Sequence, residues 1–469
     1  MTLRLFNTAT RTVDPFEPRE AGKVGVYVCG ATVQAAPHIG HMRSAVAFDV
    51  LVRWLQRAGL DVTYIRNVTD IDDKILAKSA DAKMAWWAWA SLNEQAFTEA
   101  YDALGNLRPT YEPRATGHML DMIDLMGTLI ERGHAYVSSP GNVYFDTQSW
   151  PQYGALTNQH IDERVLSTAD VSDPNKRDPR DFALWKAPKE GEPSTASWPT
   201  PYGTGRPGWH LECSAMARRY LGSEFDIHGG GLDLRFPHHE NEQAQSHAAG
   251  DGFARVWMHS AWVTQGGAKM SKSLGNGLLV TEVLKQAPAP VLRFALASVH
   301  YRSMVEWTQQ SLIDAGVAWD RFTGVYRRAV ETVGDKVTVP VTTVELPQAF
   351  TDALNDDLNV AQGLAVLYDS VKTANTALAN NNLPEATHAV LQVRAMLDVL
   401  GLDPAQWAAP DTDSRADSAL ASLVQGQLDR RAQARADKDW ATSDAIRDAL
   451  AAAGIVVEDS PHGARWSLA

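Results

Sequence analysis

Two histidines, His38 and His41, lie one helical turn apart where a strand pattern gives way to a helix pattern. Before them β-forming residues alternate with others from Val24 to Val28, and after them apolar residues recur with helical spacing. A helix N-terminus offers unpaired amide donors and partial positive charge, which suit a phosphate group, and Gly40 lets a bulky ligand approach the backbone. The spacing predicts a phosphate-binding turn. The alternative is a pair of histidines that only begin a helix.

Two lysines far downstream offer the complementary chemistry. Lys269 and Lys272 lie in a segment with Gly266 and Gly267 before it and Gly275 after it. Flanking glycines favour a mobile loop, and lysines so close together can hold a polyphosphate as its charge develops. On its own, such a pair is more often a solvated turn.

The two cysteines of the chain, Cys29 and Cys213, suggest a metal site. His238 and Glu242 are four residues apart, so on a helix they share a face, whereas His239 would project about a quarter turn away. Two thiolates, an imidazole and a carboxylate form a plausible zinc set. The alternative is a charged helix face beside two unrelated buried thiols.

The composition is that of an ordinary globular protein. Of the 469 residues, 45% are hydrophobic and 21% are charged, and the formal net charge is −13. No stretch reaches the apolar length of a membrane span and the first residues lack a signal-peptide core, so we expect a cytoplasmic protein. The net charge argues against a generic nucleic-acid binder, although an acidic protein can carry local basic patches.

The segments named so far resemble a known enzyme family. His38-Ile39-Gly40-His41 and Lys269-Met270-Ser271-Lys272-Ser273 match, in the expected order, the paired signatures of class I aminoacyl-tRNA synthetases. The segments around Cys29, Cys213 and 236–242 are similar to those of the cysteinyl-tRNA synthetases, and the resemblance runs nearly end to end. It implies ATP-dependent activation of L-cysteine, with Mg²⁺, and transfer of the cysteinyl group to the 3′ end of tRNA(Cys).

The resemblance also implies roles for individual residues. One zinc ion per chain, which binds the substrate thiol, would be held by Cys29, Cys213, His238 and Glu242. ATP would contact His38, Gly40, His41, Gly229, Gly230 and Lys272, and catalysis would rest on His38, His41, Lys269 and Lys272. The amino acid would lie against Cys29, Thr69, Trp209, His228 and Asp233. The anticodon would be read by Arg435, Trp440, Asp444 and Asp459.

Strand and helix patterns, taken with the resemblance, predict an α/β protein with a Rossmann-like parallel sheet, a helical bundle and a small α+β domain at the C-terminal end. The expected segments are a first catalytic half (1–120), an inserted connective segment with long loops (121–207), a second catalytic half (208–262), the lysine loop with a stem-contact region (263–336), the bundle (347–402) and an anticodon-binding domain (415–469). We expect a monomer.

One departure and two alternatives remain. Gln34-Ala35 stands where many members of the family carry Tyr-Asp, although it touches no proposed ligand. A ligase that joins cysteine to an amino sugar resembles the same catalytic half, but it lacks the region that residues 347–469 form here. A non-catalytic zinc- and RNA-binding module is disfavoured because both phosphate-binding signatures are intact.

Overall fold

The structure, a computed structural model, describes residues 3–158, 174–269, 278–407, 414–460 and 463–468. The strands are β1 (Arg4–Asn7), β2 (Thr12–Pro15), β3 (Lys23–Val28), β4 (Asp61–Arg66), β5 (Ala135–Ser139), β6 (Asn142–Phe145), β7 (Phe182–Lys186), β8 (Arg206–Pro207), β9 (Glu224–Gly231), β10 (Phe253–Ser260), β11 (Val263–Gln265), β12 (Ala268–Lys269), β13 (Val305–Glu306), β14 (Ile455–Ser460) and β15 (Gly463–Leu468).

Helices occupy about half of the described chain. They are α1 (Ile39–Arg57), α2 (Asp73–Asp81), α3 (Trp86–Ala103), α4 (Met119–Glu131), α5 (Trp209–Leu221), α6 (Glu240–Ala248), α7 (Val280–Leu284), α8 (Ala289–Ala297), α9 (Gln309–Val333), α10 (Gln348–Asn355), α11 (Val360–Ala379), α12 (Leu383–Val399), α13 (Pro404–Trp407), α14 (Ser414–Ala436) and α15 (Trp440–Ala452). Within the described ranges no helix has the length and the apolar run that a membrane crossing needs.

A parallel sheet with the strand order β10-β9-β3-β4 is the centre of the first unit, Met1–Trp407. Its strands are apolar on both faces because helices cover both, as the buried Val24, Val26 and Tyr27 of β3 illustrate. Such sheets bind ligands beyond the carboxyl ends of their strands. The sheet confirms the Rossmann-like α/β fold that the sequence predicted.

The inserted region has more regular structure than its composition suggested. Strands β5 to β8 form an antiparallel sheet, and β7 and β8 come from a stretch that the sequence interpretation treated as long loops. The buried guanidinium of Arg206 anchors this sheet: its Nη1 donates to Glu192 Oε2 over 2.6 Å and its Nε to Asp73 Oδ1 over 3.2 Å. The insertion is therefore tied by charge to α2.

Helical material completes the first unit. Helix α11 packs against α10 and α12, and α9 packs against α8, α11 and α12, which gives the predicted bundle. The second unit, Ala408–Ala469, contains α14, α15 and the antiparallel hairpin β14-β15. Its small core consists of Val424, Leu428, Ile446, Leu450 and Ile455.

A buried carboxylate, Asp49 of α1, joins the sheet region to the helices that follow it. It accepts hydrogen bonds from Arg293, from Arg53 Nε at 2.8 Å and from the Leu107 amide at 2.6 Å. Arg293 is fully buried and also donates to the Leu400 carbonyl oxygen over 2.7 Å. Burial alone would raise the pKa of the Asp49 carboxyl, but Arg293 and Arg53 outweigh it and hold that pKa below its ordinary value.

The Asp49→Asn variant tests this junction. Asparagine keeps the shape but leaves the Arg293 guanidinium buried without a counter-charge, so the free energy of unfolding at pH 7 should fall by about 3–5 kcal/mol. Because the folded pKa is depressed, the loss should be complete above about pH 4 and should shrink as the pH drops through the folded value. Urea unfolding at several pH values measures it. The exposed Asp61→Asn control should change little; equal stability of the two variants would contradict the assignment.

Candidate active site

The first signature forms a closed turn at the carboxyl end of β3, where α1 begins. His38 is the N-cap: its Nδ1 accepts from the Gly40 amide at 3.1 Å, and His41 Nδ1 accepts from the His38 amide at the same distance. The two rings stack with centroids 3.7 Å apart. With Nδ1 used as an acceptor, each neutral ring carries its proton on Nε2, a donor of the kind that phosphate oxygens accept.

Residues that follow the second signature in the chain contact the first signature through backbone. His38 bridges Leu279, and the Ile39 amide donates to the Leu278 carbonyl oxygen over 3.0 Å. The backbone of Lys269 ends β12, which pairs with β11. Lys272 lies outside the described residues, so the structure gives no position for its side chain. The residues just after the lysine segment thus hold the start of α1.

The cysteines meet at the same edge of the sheet. Four ligand atoms, one each from Cys29, Cys213, His238 and Glu242, lie within 4.8 Å of one another. The Cys29 thiol donates to Glu242 Oε1 over 3.3 Å, and His238 Nε2 lies 3.1 Å from the same oxygen. Cys29 follows β3 and is fixed by its amide, which donates to the Gly229 carbonyl oxygen over 2.9 Å. Three distant segments therefore converge on one buried point.

A second, overlapping set shares two of these ligands and consists of Cys29, His228, His239 and Glu242. His228 Nε2 lies 3.4 Å from Cys29 Sγ and 3.4 Å from Glu242 Oε2. The His239 ring continues into a buried chain, with Nδ1 2.8 Å from His259 Nε2. We call these four residues, together with His259, the histidine cluster.

His239 corrects the sequence interpretation, which placed it a quarter turn away from Glu242 with no carboxylate partner. Its Nε2 lies 3.9 Å from Glu242 Oε1. Residues three apart on a helix are neighbours as well as residues four apart, and that spacing was discounted. The sequence signal that could have found it is the His238-His239 doublet ahead of one carboxylate.

Burial controls the charge of this site. It raises the pKa of the Cys29 thiol well above its usual range, with Cys213 adding to the effect, and it lowers the pKa of His238 to about 4. His238 Nε2 and Glu242 Oε2 are buried without a hydrogen-bond partner among the described residues. Buried polar atoms normally have partners. Ligand atoms that face one another in this way fit a soft divalent cation.

The residues predicted to contact the amino acid differ in how closely they approach the four ligand atoms. The Trp209 ring stacks on His238 with centroids 4.2 Å apart. Thr69 is buried and its hydroxyl donates to Glu212 Oε2 over 3.0 Å, which ties it to the neighbour of Cys213. Asp233 lies on the turn after β9 and is exposed.

The glycines predicted to face adenosine are also required by packing. A Cβ at Gly229 would lie 2.2 Å from the Phe48 ring, and one at Gly230 would lie 2.9 Å from Leu234. No side chain fits at either position. Their residue type is therefore explained by the fold of the described chain, whatever the ligand.

The predicted anticodon contacts belong to the second unit. Arg435 is near the end of α14, and Trp440 begins α15 with 59% of its surface exposed. Asp444 is exposed one turn later, with Oδ1 3.6 Å from an Arg447 nitrogen. Asp459 lies on β14, opposite Ala464 in register. An exposed tryptophan beside polar side chains is a surface on which a nucleobase can stack.

Family models cover most of the chain. The model described as tRNA synthetases class I (C) catalytic domain matches residues 15–316, the DALR domain matches 349–403, and the cysteinyl-tRNA ligase anticodon binding domain matches 417–466. A solved structure, methionyl-tRNA synthetase of Mycobacterium tuberculosis in complex with methionyl-adenylate, covers 84% of this chain and 96% of its own, with a TM-score of 0.59 and 14% identity. That likeness concerns the fold. Fold and models together define a class I aminoacyl-tRNA synthetase.

Sequence relatives narrow the class. Proteins named cysteine–tRNA ligase are 60% identical in Beutenbergia cavernae and 55% identical in Streptomyces avermitilis, each over 100% of this chain and 99% of the relative. A protein of the same name from Arthrobacter sp. is 54% identical over 99% of both chains. This chain belongs to the cysteine–tRNA ligase family, which confirms the family that the segments around Cys29, Cys213 and 236–242 indicated.

The buried carboxyl of Glu212 gives this site a pH signature. Burial, reinforced by Asp72, raises the pKa of the Glu212 carboxyl well above its usual value, whereas a glutamate in an unfolded chain ionises near pH 4.3. A raised carboxyl pKa destabilises the fold as the pH rises above that point. The Glu212→Gln variant removes this penalty and keeps an acceptor for Thr69. Its stability relative to the unchanged protein should therefore increase from pH 4 to pH 8 in urea titrations. The exposed Glu131→Gln control should show a flat difference, and a flat difference for Glu212→Gln would contradict the assignment.

Proposed function

We propose that this protein activates L-cysteine with ATP and transfers it to tRNA(Cys). A cysteine carboxylate oxygen attacks the α-phosphorus of ATP, and the bond to pyrophosphate breaks. A ribose hydroxyl of the terminal adenosine then attacks the cysteinyl carbonyl carbon, and AMP leaves. The observation that carries the proposal is the convergence of two thiols, an imidazole and a carboxylate beside the capped start of α1.

The phosphate-binding part of this mechanism rests on positioning and charge. His38 and His41 would donate to phosphate oxygens from rings that the backbone holds by Nδ1. Lys269 and Lys272 would close over the departing pyrophosphate, with ATP bound as its Mg²⁺ complex. Gly229 and Gly230 would lie against the adenosine, although packing against Phe48 and Leu234 already requires glycine at both positions. Phosphoryl transfer of this kind needs no protein nucleophile.

Zinc fits the donor set. Cys29, Cys213, His238 and Glu242 would hold it, and this set includes two of the buried atoms that have no hydrogen-bond partner among the described residues, His238 Nε2 and Glu242 Oε2. When bound, zinc supplies a soft Lewis acid that prefers a thiolate to a hydroxyl, which separates cysteine from serine. We favour this set over the histidine cluster because it offers two sulfur ligands.

The remaining roles complete the proposal. Trp209 packs the floor of the amino-acid pocket through its stack on His238, and His228 lies beside Cys29. Asp233, exposed at the rim, would meet the substrate ammonium. The anticodon would be read by Arg435, Trp440, Asp444 and Asp459. The domain limits given above, a monomeric state and a cytoplasmic location belong to the same proposal.

An amino-sugar acceptor is the second candidate, and one observation disfavours it. The anticodon-binding model matches residues 417–466, a region without use for a small acceptor. Charging of tRNA(Cys), measured against ligation to glucosaminyl-inositol, separates the two acceptors directly.

Cysteine-dependent exchange of pyrophosphate into ATP tests the proposed activity. Exchange should appear with cysteine and should be about 10⁴-fold less efficient with serine, because a site built around a strong polar bond rejects an analogue that lacks it. Zinc content should approach one ion per chain. Serine turnover within tenfold of cysteine turnover would contradict the thiol-selective mechanism.

The two ligand sets predict different effects on zinc content. Cys213→Ser should remove zinc if the favoured set holds the ion, whereas His228→Asn should retain it, since His228 belongs only to the histidine cluster. Metal analysis of the purified variants decides the matter. Zinc retained in Cys213→Ser and lost in His228→Asn would assign the ion to the other set.

A further inference from the structure

The segment between β3 and α1, residues 29–38, is fastened to two helices at one residue. Lys78 Nζ of α2 donates to the Gln34 Oε1 atom over 3.0 Å, and the Trp89 indole N–H of α3 donates to the Gln34 carbonyl oxygen over 3.0 Å. Lys78 and Trp89 are both half-buried. Gln34 is thus held by its side chain and by its backbone at once.

Helix α3 also contacts the turn of the first signature, residues 38–41, which follows this segment. The Phe97 ring meets the His41 ring edge-on with centroids 5.0 Å apart. The same helix therefore contacts Gln34, which lies four residues before His38, and also contacts His41. At its start, the Trp86 indole N–H donates to Thr195 Oγ1 in the inserted segment over 3.1 Å. Trp86 and Trp89 make the same type of bond in different directions, which provides an internal comparison.

Backbone hydrogen bonds hold the chain on both sides of the segment that joins Gln34 to the first signature, residues 38–41. The Val33 amide donates to the Thr69 carbonyl oxygen over 3.1 Å, and the Pro37 carbonyl oxygen accepts from the Val280 amide at 3.2 Å. Proline fixes its own φ, which leaves fewer backbone torsions between Gln34 and His38 to absorb a displacement of Gln34. Misplacing a binding group by about 1 Å can lower a rate a hundredfold.

We propose that Trp89 and Lys78 are positioning residues for ATP, which act by fixing Gln34 and through it the turn that carries His38. The inference rests on the proposed function, because it concerns the ATP site of that reaction. It also gives a physical role to Gln34: its amide oxygen accepts a hydrogen bond from the Lys78 ammonium, and its carbonyl oxygen accepts one from the Trp89 indole N–H.

The experiment compares Trp89→Phe with Trp86→Phe in cysteine-dependent ATP–pyrophosphate exchange. Phenylalanine keeps an aromatic ring but removes the N–H donor and part of the ring volume, and this change is the same at both positions. Trp89→Phe should raise the KM for ATP about three- to tenfold, the range for one lost hydrogen bond, and leave the KM for cysteine unchanged. Trp86→Phe should leave both KM values unchanged. Thermal unfolding of the two variants checks that neither effect is a general loss of stability.

Variants of Lys78 provide a second, independent test of the proposal. Lys78→Met should raise the KM for ATP, and Lys78→Arg should restore it, because arginine can still donate to the Gln34 amide oxygen. An unchanged KM for ATP in Trp89→Phe and Lys78→Met, or an equal rise in Trp86→Phe, would overturn the proposal. These failures are distinct from failure of the proposed function, which would show as absence of cysteine-dependent exchange in the unchanged protein.

Discussion

Ligand atoms from three separate segments face one another at a buried point beyond the carboxyl ends of β3 and β9. Burial raises the pKa of the Cys29 thiol and lowers that of His238, which favours their neutral forms, and within the described residues His238 Nε2 and Glu242 Oε2 have no hydrogen-bond partner. Most of the catalytic unit can be understood as the framework that brings these groups together. A soft cation is the simplest species that satisfies them all, and a substrate thiol is the simplest species that it would then select.

The framework works through ordinary elements. A parallel sheet places Cys29 at the end of β3 and His228 within β9, while α5 and α6 carry Cys213 and Glu242 from the covering layer. Helix α1 also follows β3, so the turn of His38 and His41 and the four ligand atoms lie at the carboxyl-end edge of the same sheet. Buried ion pairs hold the outer parts to this centre: Asp49 with Arg293 fixes the helical region, and Arg206 fixes the insertion.

Local patterns were sufficient for part of this account. The alternation in β3, the apolar spacing of α1 and the i, i+4 pair of His238 and Glu242 are all short-range signals, and each predicted what the structure shows. The fold class and the family followed from them and from the two signatures. Residue types suggested that the two cysteines join His238 and Glu242, and the resemblance supported that set, whereas spacing says nothing about two residues 184 positions apart.

Contacts between distant segments could not be predicted. The extension of the histidine cluster from His239 to His259 depends on how β10 packs, and the strands of the insertion depend on pairing partners 40 residues away. The tryptophans of α3 show the same limit. Trp87 is 60% exposed, while Trp89, on the same helix, donates its N–H to the Gln34 carbonyl oxygen.

X-ray absorption at the zinc edge tests the central claim most directly, because it counts the sulfur atoms around the metal. With zinc bound by Cys29, Cys213, His238 and Glu242, the account predicts two sulfur neighbours in the free protein and three after cysteine is added, with no change on adding serine. A sulfur count that stays the same when cysteine is bound would contradict it.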